Sequence, residues 1–307
     1  MTVSSKVIHI LDGGMGRELE KIGAPFKQPE WSALALMQTP ELVRKVHTHF
    51  LNAGATVITT NAYALVPFHI GETAFNERAF SLAESAAKLA REAVASQRRG
   101  KSNNSSVAGC VPPAFGSYRP DLFDAERVAE ILTPLIKAQA PFVDVWLIET
   151  ACSIEEAEAV VSLIKTISSH PIWLSFSLQN RASSNEPVTL RSGEPLEKIA
   201  PLLEHVESVL FNCSQPEEME SALAITRQLN ESITTGAYAN SFSERKRQHE
   251  ANALLSELRD DITPERYADY AQSWIAAGAS IIGGCCGIGP EHIKAIDTFV
   301  HSDSSGN

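Results

Sequence analysis

Three cysteines have a spacing that could bind one metal ion. Cys285 and Cys286 are adjacent, and Cys213 precedes the pair by 72 positions (285 − 213). Neighbouring side chains of a regular strand point to opposite faces, so the pair can share one ion only where the backbone turns sharply. Glycine adopts dihedral angles that are closed to other residues, and three glycines around the pair permit such a turn. These are Gly283, Gly284 and Gly287.

Three thiolates suit Zn²⁺ well, and they indicate a particular chemistry. A structural zinc site would close with a fourth protein ligand, whereas an open fourth position is typical of catalytic zinc. Zinc with three thiolates has a net negative charge, which favours holding a substrate thiol as the nucleophilic thiolate over activating water. The pattern therefore favours alkyl transfer to a thiol. A redox disulfide between Cys285 and Cys286, or plain buried thiols, are the alternatives.

Two carboxylates also follow apolar runs. Glu149 comes directly after Val145–Ile148, where a buried unpaired carboxylate would be costly. Glu149 should therefore have a cationic partner, from the protein or from a ligand. Asp12 follows the first apolar run of the chain, and a turn or helix cap is the alternative role for it. We expect both carboxylates to serve in catalysis and substrate binding.

The elements that must position these groups alternate along the chain. Eight short, mostly apolar runs predict strands that are buried on both faces, as in a parallel sheet. They are Val7–Leu11, Thr56–Thr60, Ser106–Cys110, Val143–Ile148, Ile172–Ser177, Ser208–Phe211, Ile233–Ala237 and Ser280–Gly283.

Helix signals lie between these runs. Thr39 and Thr263 each precede a Pro-Glu pair, which predicts an N-cap, a proline at the first helical position and an acidic first turn. Ser153 and Glu156 form a capping-box pattern. A glycine is expected to end the first and the last of these three helices, at Gly54 and Gly278 respectively.

Eight strand–helix units in 307 residues predict a (β/α)8 TIM barrel formed by a single domain, 1–307, with a core at about 7–300 and a polar tail at 301–307. A doubly wound open sheet is the alternative. In such barrels the chemistry lies at the C-terminal strand ends, where the cysteines and carboxylates meet. Arg98–Ser105 is expected to be a surface loop, and Gln179–Pro195 a long loop after the fifth strand.

Composition narrows the function classes. The net charge of −11 disfavours nucleic acid and anionic membranes as partners. No apolar stretch approaches the roughly 18 residues of a membrane span, and no export signal begins the chain, so a cytoplasmic protein is expected. The five cysteines are an odd number, which argues against a disulfide framework, and Cys110 and Cys152 are interpreted as small buried hydrophobes. The glycine clusters fit no nucleotide-binding motif.

Together these residues resemble the homocysteine S-methyltransferases, which are zinc-dependent (β/α)8 barrels. The resemblance covers about residues 7–300. It rests on Asp12–Gly16, Trp31–Ala33, Ala53–Ala55, Thr59–Tyr63, Glu149-Thr150, Phe211–Cys213 and Gly283–Gly287.

The resemblance implies a role for each of these groups. Cys213, Cys285 and Cys286 would ligate one Zn²⁺ ion, and the sulfur of homocysteine would complete the tetrahedron. Glu149 would hold the substrate ammonium, and Asp12 would lie near the amino acid. Further substrate-binding side chains are expected in the matching segments, with Tyr63 over the zinc. They are Thr60, Asn61, Tyr63 and Asn212.

Three segments depart from the family pattern and surround the expected donor pocket: Ala64–Phe68, Cys110–Pro113 and Tyr238–Phe242. The chain length disfavours a cobalamin-dependent methionine synthase and the long arm of the betaine enzymes. A sulfonium donor is therefore expected, either S-methylmethionine or S-adenosylmethionine. A betaine-type or other donor on the same site is the first alternative. The others are a non-enzymatic zinc or redox sensor and a lyase with Asp12 and Glu149 as acid and base. The oligomeric state stays open, a homo-oligomer included.

Overall fold

The computed structural model describes residues 7–97, 105–243 and 257–302, and its eight strands form one parallel sheet. The strands are β1 (His9–Ile10), β2 (Val57–Thr59), β3 (Ser106–Val111), β4 (Val145–Ala151), β5 (Ile172–Phe176), β6 (Ser208–Asn212), β7 (Thr234–Tyr238) and β8 (Ile281–Ile282). They neighbour one another in chain order, and β8 pairs with β1. A parallel bridge between Leu11 and Val57 joins the first and second strands and closes the ring. The predicted (β/α)8 barrel is confirmed, and the open doubly wound sheet is excluded.

Ten α-helices surround the strands of the described chain. They are α1 (Met15–Lys21), α2 (Ser32–Gln38), α3 (Pro40–Ala53), α4 (Pro67–Ile70), α5 (Glu72–Gln97), α6 (Val128–Gln139), α7 (Ile154–Ile167), α8 (Pro216–Leu229), α9 (Pro264–Ala276) and α10 (Pro290–Ser302). The fifth strand is followed by 3₁₀ turns at Leu196–Glu204 instead of an α-helix. Pro201 lies inside these turns, where a proline interrupts an α-helical hydrogen-bond ladder.

All three predicted N-cap residues occupy the N-cap position of their helix. Ser153 accepts a hydrogen bond from the backbone N–H of Glu156, and Thr263 accepts one from Arg266. Thr39 precedes Pro40 and the acidic first turn of α3 as predicted, but its hydroxyl donates to the carbonyl of Ala35 and makes no capping hydrogen bond. A preceding helix, α2, ends there and supplies that carbonyl.

Strand β4 runs further than the sequence indicated. It extends to Ala151, so Glu149 and Thr150 lie within the strand and not beyond it. The pairing of β4 with β5 is irregular between Ile148 and Ala151, and Thr150 has a φ of 60°. This irregularity occurs where the strand reaches the rim of the barrel, a position at which such features re-aim side chains.

The apolar core has two layers. The larger cluster fills the space between strands and helices, and a smaller one lies inside the barrel. The inner cluster contains Leu147, Leu210 and Tyr238. Because side chains alternate along a strand, Glu149 lies on the same inward face as Leu147. The alternation of side chains along β4 therefore places the carboxylate of Glu149 at the C-terminal end of the barrel interior.

The loop at 179–195 is tied down by short antiparallel bridges, Leu178 with Leu190 and Thr189 with Pro195. The expected polar tail begins inside α10, since His301 and Ser302 are still helical. Residues 98–104 of the expected surface loop and 303–307 of the tail lie outside the described residues. Within the described ranges, no helix combines the length and the apolarity needed to cross a bilayer.

Gly54 provides a test of the joint between helix and strand. It ends α3 with a φ of 110°, and a Cβ there would collide with the side chain of Asp297 in α10. We expect Gly54→Ala to lower the free energy of unfolding by about 2–4 kcal/mol, from left-handed strain plus overpacking. Gly23→Ala is the matched control, since Gly23 has a φ of 80° and nothing within 4 Å of an added Cβ. It should lose only about 1–2 kcal/mol. Equal losses in urea unfolding would contradict this account.

Candidate active site

The three predicted thiols meet at the C-terminal end of the barrel. The Sγ atoms of Cys213, Cys285 and Cys286 all lie within 4.8 Å of one another, and those of Cys285 and Cys286 are 4.0 Å apart. Cys213 is buried, and the adjacent pair is half-buried. All five cysteines are free thiols. This convergence of residues from two strands is what the sequence spacing predicted.

The glycines around the pair act in two different ways. Gly287 has a φ of 83°, so it supplies the turn that the sequence predicted. Gly283 and Gly284 have ordinary φ values and are needed for room, because a Cβ would collide with Leu11 and Ile288 respectively. The prediction that all three permit unusual dihedral angles was therefore right only for Gly287. At Gly283 and Gly284, only glycine leaves enough room for the neighbouring side chains of Leu11 and Ile288.

Backbone strain is concentrated at this rim. Four non-glycine residues in the described chain have a positive φ: Trp31, Tyr118, Thr150 and Cys213. Three of them line the cavity described below, and Thr150 follows Glu149. A φ of 50° at Cys213 turns its side chain away from the alternation of β6 and towards the other two thiols. Strained residues of this kind persist where the surrounding structure holds them, and they occur most often at functional sites.

The amide of Asn212 holds part of this strained backbone. It accepts hydrogen bonds from the N–H of Thr150 at 3.1 Å and from the hydroxyl of Ser175 at 2.9 Å. Its own NH₂ group donates to the Thr150 hydroxyl at 2.9 Å. Asn212 is fully buried and is not among the residues that line the cavity. Its hydrogen bonds hold the backbone of Thr150, and its predicted contact with substrate stays a prediction.

The thiol cluster fits a metal ion. A tetrahedral zinc site with Zn–S bonds of about 2.3 Å needs sulfur atoms about 3.8 Å apart, close to the separation found here. A hydrogen bond from Cys285 lowers the pKa of Cys213, but a bond to Cys286 and burial raise that pKa to about 12. Three such thiols therefore cannot ionise together without a cation between them. The donor set suits a thiophilic ion, and a bound metal would remove this repulsion.

Asp12 and Glu149 line the same cavity as the thiols; Asp12 is buried and Glu149 is half-buried. Burial, assisted by the nearby Glu149, raises the pKa of Asp12 to about 8, although hydrogen bonds from Thr59 oppose the shift. Burial, assisted by Cys213, raises the pKa of Glu149 to about 7. Neither carboxylate has an ion-pair partner within 7–97, 105–243 or 257–302. The cationic partner that the sequence predicted for Glu149 is thus not found among the described residues, and a cationic ligand group stays a prediction.

Cys110 belongs to the site, which sequence reasoning missed. Its thiol donates a hydrogen bond to Glu149 over 3.0 Å, so it is more than a small buried hydrophobe. Burial and the neighbouring Glu149 raise the pKa of Cys110 well above its usual range, so this thiol remains a donor. The signal was present in the sequence, because Cys110 ends the third predicted strand and so points at the same rim. Cys152 is buried and donates to the carbonyl of Thr150.

The other predicted polar residues are distributed around the cavity wall. Thr60 donates to the side chain of Gln139, and Asn61 donates to the carbonyl of Ser32. The Tyr63 hydroxyl lies 2.6 Å from that of Ser117. All three residues line the cavity. Asn240 accepts a hydrogen bond from the N–H of Phe242 and so acts as a loop hydrogen-bonder.

A cavity of about 200 Å³ joins these groups. The wall of this cavity combines aromatic side chains with Asp12, Glu149 and the three thiols. The aromatic residues are Phe26, Trp31, Tyr63, Tyr118, Tyr238 and Phe242. Arg191 of the long loop stacks over the Tyr118 ring at 4.8 Å, so this loop buttresses the wall. Of these aromatics, Tyr238 could have been found from its place at the end of a predicted strand.

The fold and the site define a (β/α)8-barrel enzyme with a thiol-rich metal-binding centre at the C-terminal rim. A sequence model described as homocysteine S-methyltransferase matches residues 9–300. The chain belongs to the homocysteine S-methyltransferase family, whose enzymes methylate the sulfur of homocysteine.

Known proteins of this family are similar over nearly the whole chain. Homocysteine S-methyltransferase 1 of Brassica oleracea var. italica is 29% identical over 94% of this chain and 91% of its own length. Homocysteine S-methyltransferase YbgG of Bacillus subtilis is 28% identical over 95% and 94%. The crystal structure of the metallated homocysteine methyltransferase MmuM from Escherichia coli superposes with a TM-score of 0.78 at 29% identity, covering 97% of this chain and 98% of that one.

The raised pKa of Asp12 predicts how stability depends on pH in the reduced, metal-free protein. Folding raises this pKa from 3.8 to about 8, so the folded state binds more protons than the unfolded state between these values. The free energy of unfolding should therefore fall as pH rises through this window, by up to about 1.4 kcal/mol per pH unit for one proton. In Asp12→Asn the fall should be shallower.

Urea unfolding at several pH values between about 5 and 8 measures this slope. Asp121→Asn is the control, because Asp121 is exposed and its hydrogen bond to Arg119 lowers its pKa. That variant should keep the wild-type slope above about pH 5. A slope in Asp12→Asn that equals the wild-type slope would show that Asp12 ionises normally in the folded protein.

Proposed function

We propose that the chain transfers a methyl group from a sulfonium donor, S-methylmethionine or S-adenosylmethionine, to the sulfur of homocysteine, with zinc as the metal. One observation carries this proposal: three thiols and two carboxylates without ion-pair partners in the described chain face a single cavity. The thiols supply a soft donor set, and the carboxylates supply a place for an ammonium group. An amino acid that bears a thiol matches both.

Cys213, Cys285 and Cys286 would hold the zinc ion. When bound, zinc supplies a Lewis acid that holds the homocysteine sulfur as a thiolate at neutral pH. Three cysteine ligands leave room for this fourth sulfur ligand. The net negative charge of such a centre keeps the incoming sulfur electron-rich and disfavours water as a competing nucleophile.

Glu149 and Asp12 orient the acceptor by binding its ammonium group. An ammonium between them would restore their ordinary acidity, since an opposite charge favours the ionised carboxylate. The Cys110 thiol donates to one oxygen of Glu149 and thereby fixes the direction in which the carboxylate faces. Thr59 does the same for Asp12 through its backbone N–H, at 2.8 Å, and its hydroxyl, at 3.1 Å. Both carboxylates are thus preorganised before substrate arrives.

The aromatic wall favours a cationic donor. Aromatic faces attract cations, and sulfonium ions resemble the quaternary ammonium ions that aromatic cages recognise. Tyr63 and Tyr118 lie on the same cavity as the thiols, and the net charge of −11 adds a general attraction for cations. In the transfer, the methyl–sulfur bond of the donor breaks and its electron pair stays on the donor sulfur, which becomes a neutral thioether. The homocysteine thiolate forms the new bond to the methyl carbon, giving methionine.

Three other functions use the same residues. A betaine-type donor would also present a cation to the aromatic wall. A zinc or redox sensor would need only the thiols, and a lyase would need only Asp12 and Glu149. We favour methyl transfer over the sensor and the lyase because it uses the thiols, the carboxylates and the aromatic wall together. A cytoplasmic location and the oligomeric state stay predictions.

The zinc ligands are tested by Cys286→Ser. We expect the variant to lose zinc and methionine formation together, because a serine hydroxyl replaces a thiolate ligand. Cys152→Ser is the control, because Cys152 is also a free thiol but lies outside the thiol cluster; it is buried, whereas Cys286 is half-buried. Zinc per chain is measured under reducing conditions alongside circular dichroism. Full activity in a zinc-free Cys286→Ser protein would contradict the proposal and favour the lyase.

The donor class is tested by a panel of methyl donors. The reduced zinc protein is incubated with homocysteine and with S-methylmethionine, S-adenosylmethionine, betaine or no donor. We expect methionine from at least one sulfonium donor and none from betaine, because a sulfonium releases a neutral thioether, a better leaving group than the amine that betaine would release. Methionine from betaine alone would overturn the donor assignment. No methionine from any donor would favour the sensor.

A further inference from the structure

The long loop at 179–195 carries an arginine that the proposed reaction does not use. Arg191 is half-buried, and its buried Nε–H has no hydrogen-bond partner among the described residues. Its guanidinium carbon lies 4.8 Å from the centroid of the Tyr118 ring, which is within the range of a cation–π contact. Because buried polar groups normally have a partner, this stack is the interaction that explains the position of the Arg191 side chain.

The backbone around Arg191 is fixed to the rim of the barrel. The N–H of Arg191 donates to the carbonyl of Ser177, just after β5, at 2.9 Å. The N–H of Ser192 donates to the carbonyl of Cys152, just after β4, also at 2.9 Å. Two neighbouring strand ends therefore fix the point from which the Arg191 side chain reaches the cavity wall.

A buried ion pair holds the other end of the loop against α8. Nε of Arg181 lies 2.6 Å from a carboxylate oxygen of Glu218, and the two side chains are only 9% and 8% exposed. The backbone N–H of Arg181 also donates to the Glu218 carboxylate, at 3.0 Å. Helix α8 begins at Pro216, directly after the segment that carries Cys213. Both ends of the loop are thus anchored close to the thiol cluster.

Tyr118 connects this loop to the thiol cluster. It lines the cavity together with Cys213, and its φ of 63° is a strained conformation for a residue with a side chain. Hydrogen bonds from Cys285 and from the side chain of Tyr118 oppose the rise in the pKa of Cys213 to about 12. The Tyr118 hydroxyl therefore acts on a sulfur that would ligate the metal. Strained residues persist only where their surroundings hold them, and the stacked guanidinium of Arg191 holds this ring.

We propose that Arg191 is a positioning residue of the metal centre, whose stack holds Tyr118 so that the phenolic hydroxyl donates a hydrogen bond to Cys213. This inference rests on the proposed zinc site, because it assigns two residues to the support of one zinc thiolate. Groups that bond to metal ligands orient those ligands and raise the affinity for the metal. Arg191 is not among the residues that line the cavity, so it acts through Tyr118. The long loop then serves to support the metal centre.

The affinity for zinc tests this pairing without relying on turnover, and it is measured by competition with a chromophoric chelator in the reduced protein. Tyr118→Phe keeps the ring but removes the hydroxyl, and it should weaken zinc binding about 10-fold. Arg191→Gln should weaken it about 5-fold, the size expected of one cation–π contact. Arg191→Lys keeps the charge and should recover part of this loss. In the Tyr118→Phe background, Arg191→Gln should cause no further loss, because no hydroxyl remains to be positioned.

Arg266→Gln is the matched control. The guanidinium carbon of Arg266 lies over the Tyr270 ring at the same 4.8 Å, but neither residue is among those that line the cavity. This variant should bind zinc as tightly as the wild type. A wild-type zinc affinity in Arg191→Gln would overturn the inference. Losses that add in the double variant would also overturn it, since they would show that Arg191 acts independently of the Tyr118 hydroxyl. A wild-type protein that takes up no zinc would instead refute the proposed function, so the two failures are distinguishable.

Discussion

The repulsion among three converging thiols is the constraint on which the rest of the site depends. Cys213, Cys285 and Cys286 are too close to ionise together in a buried place unless a cation lies among them. Desolvation also raises the pKa of Asp12 to about 8 and that of Glu149 to about 7. In the proposed reaction, a metal ion would compensate the thiolates, and an ammonium group would compensate the two carboxylates.

The core of the barrel supports the residues at its C-terminal rim. Apolar side chains fill the barrel interior, and strands β4 and β6, which lead to Glu149 and Cys213, are largely buried on both faces. Asn212 bridges two of these strands through hydrogen bonds to Thr150 and Ser175, which holds a backbone with a positive φ next to Glu149. The energy stored in strain and desolvation at the rim is thus offset by ordinary core packing elsewhere.

Much of this arrangement could be predicted from the sequence. Continuous apolar runs marked eight strands, and the residues that follow them marked the rim, because parallel strands in a barrel all end on one side. The convergence of Cys213 with Cys285 and Cys286 could be predicted once strands six and eight were expected to lie close together. The predictions were incomplete where a side chain's contacts lie outside its own predicted element. The hydroxyl of Thr39 bonds to Ala35 of the preceding helix, and the hydrogen bond from Cys110 to Glu149 joins two different strands. The room needed at Gly283 and Gly284 depends on the positions of Leu11 and Ile288, which the strand pattern does not fix.

The central claim is that the three thiols hold one zinc ion with a place left for the sulfur of homocysteine. X-ray absorption at the zinc edge tests it most directly, because the sulfur ligands of the ion can be counted before and after homocysteine is added to the reduced protein. The account predicts three sulfur ligands in the resting protein and four when homocysteine is bound, with no change on adding homoserine, the oxygen analogue of homocysteine. A zinc ion with an unchanged sulfur count in the presence of saturating homocysteine would contradict the account.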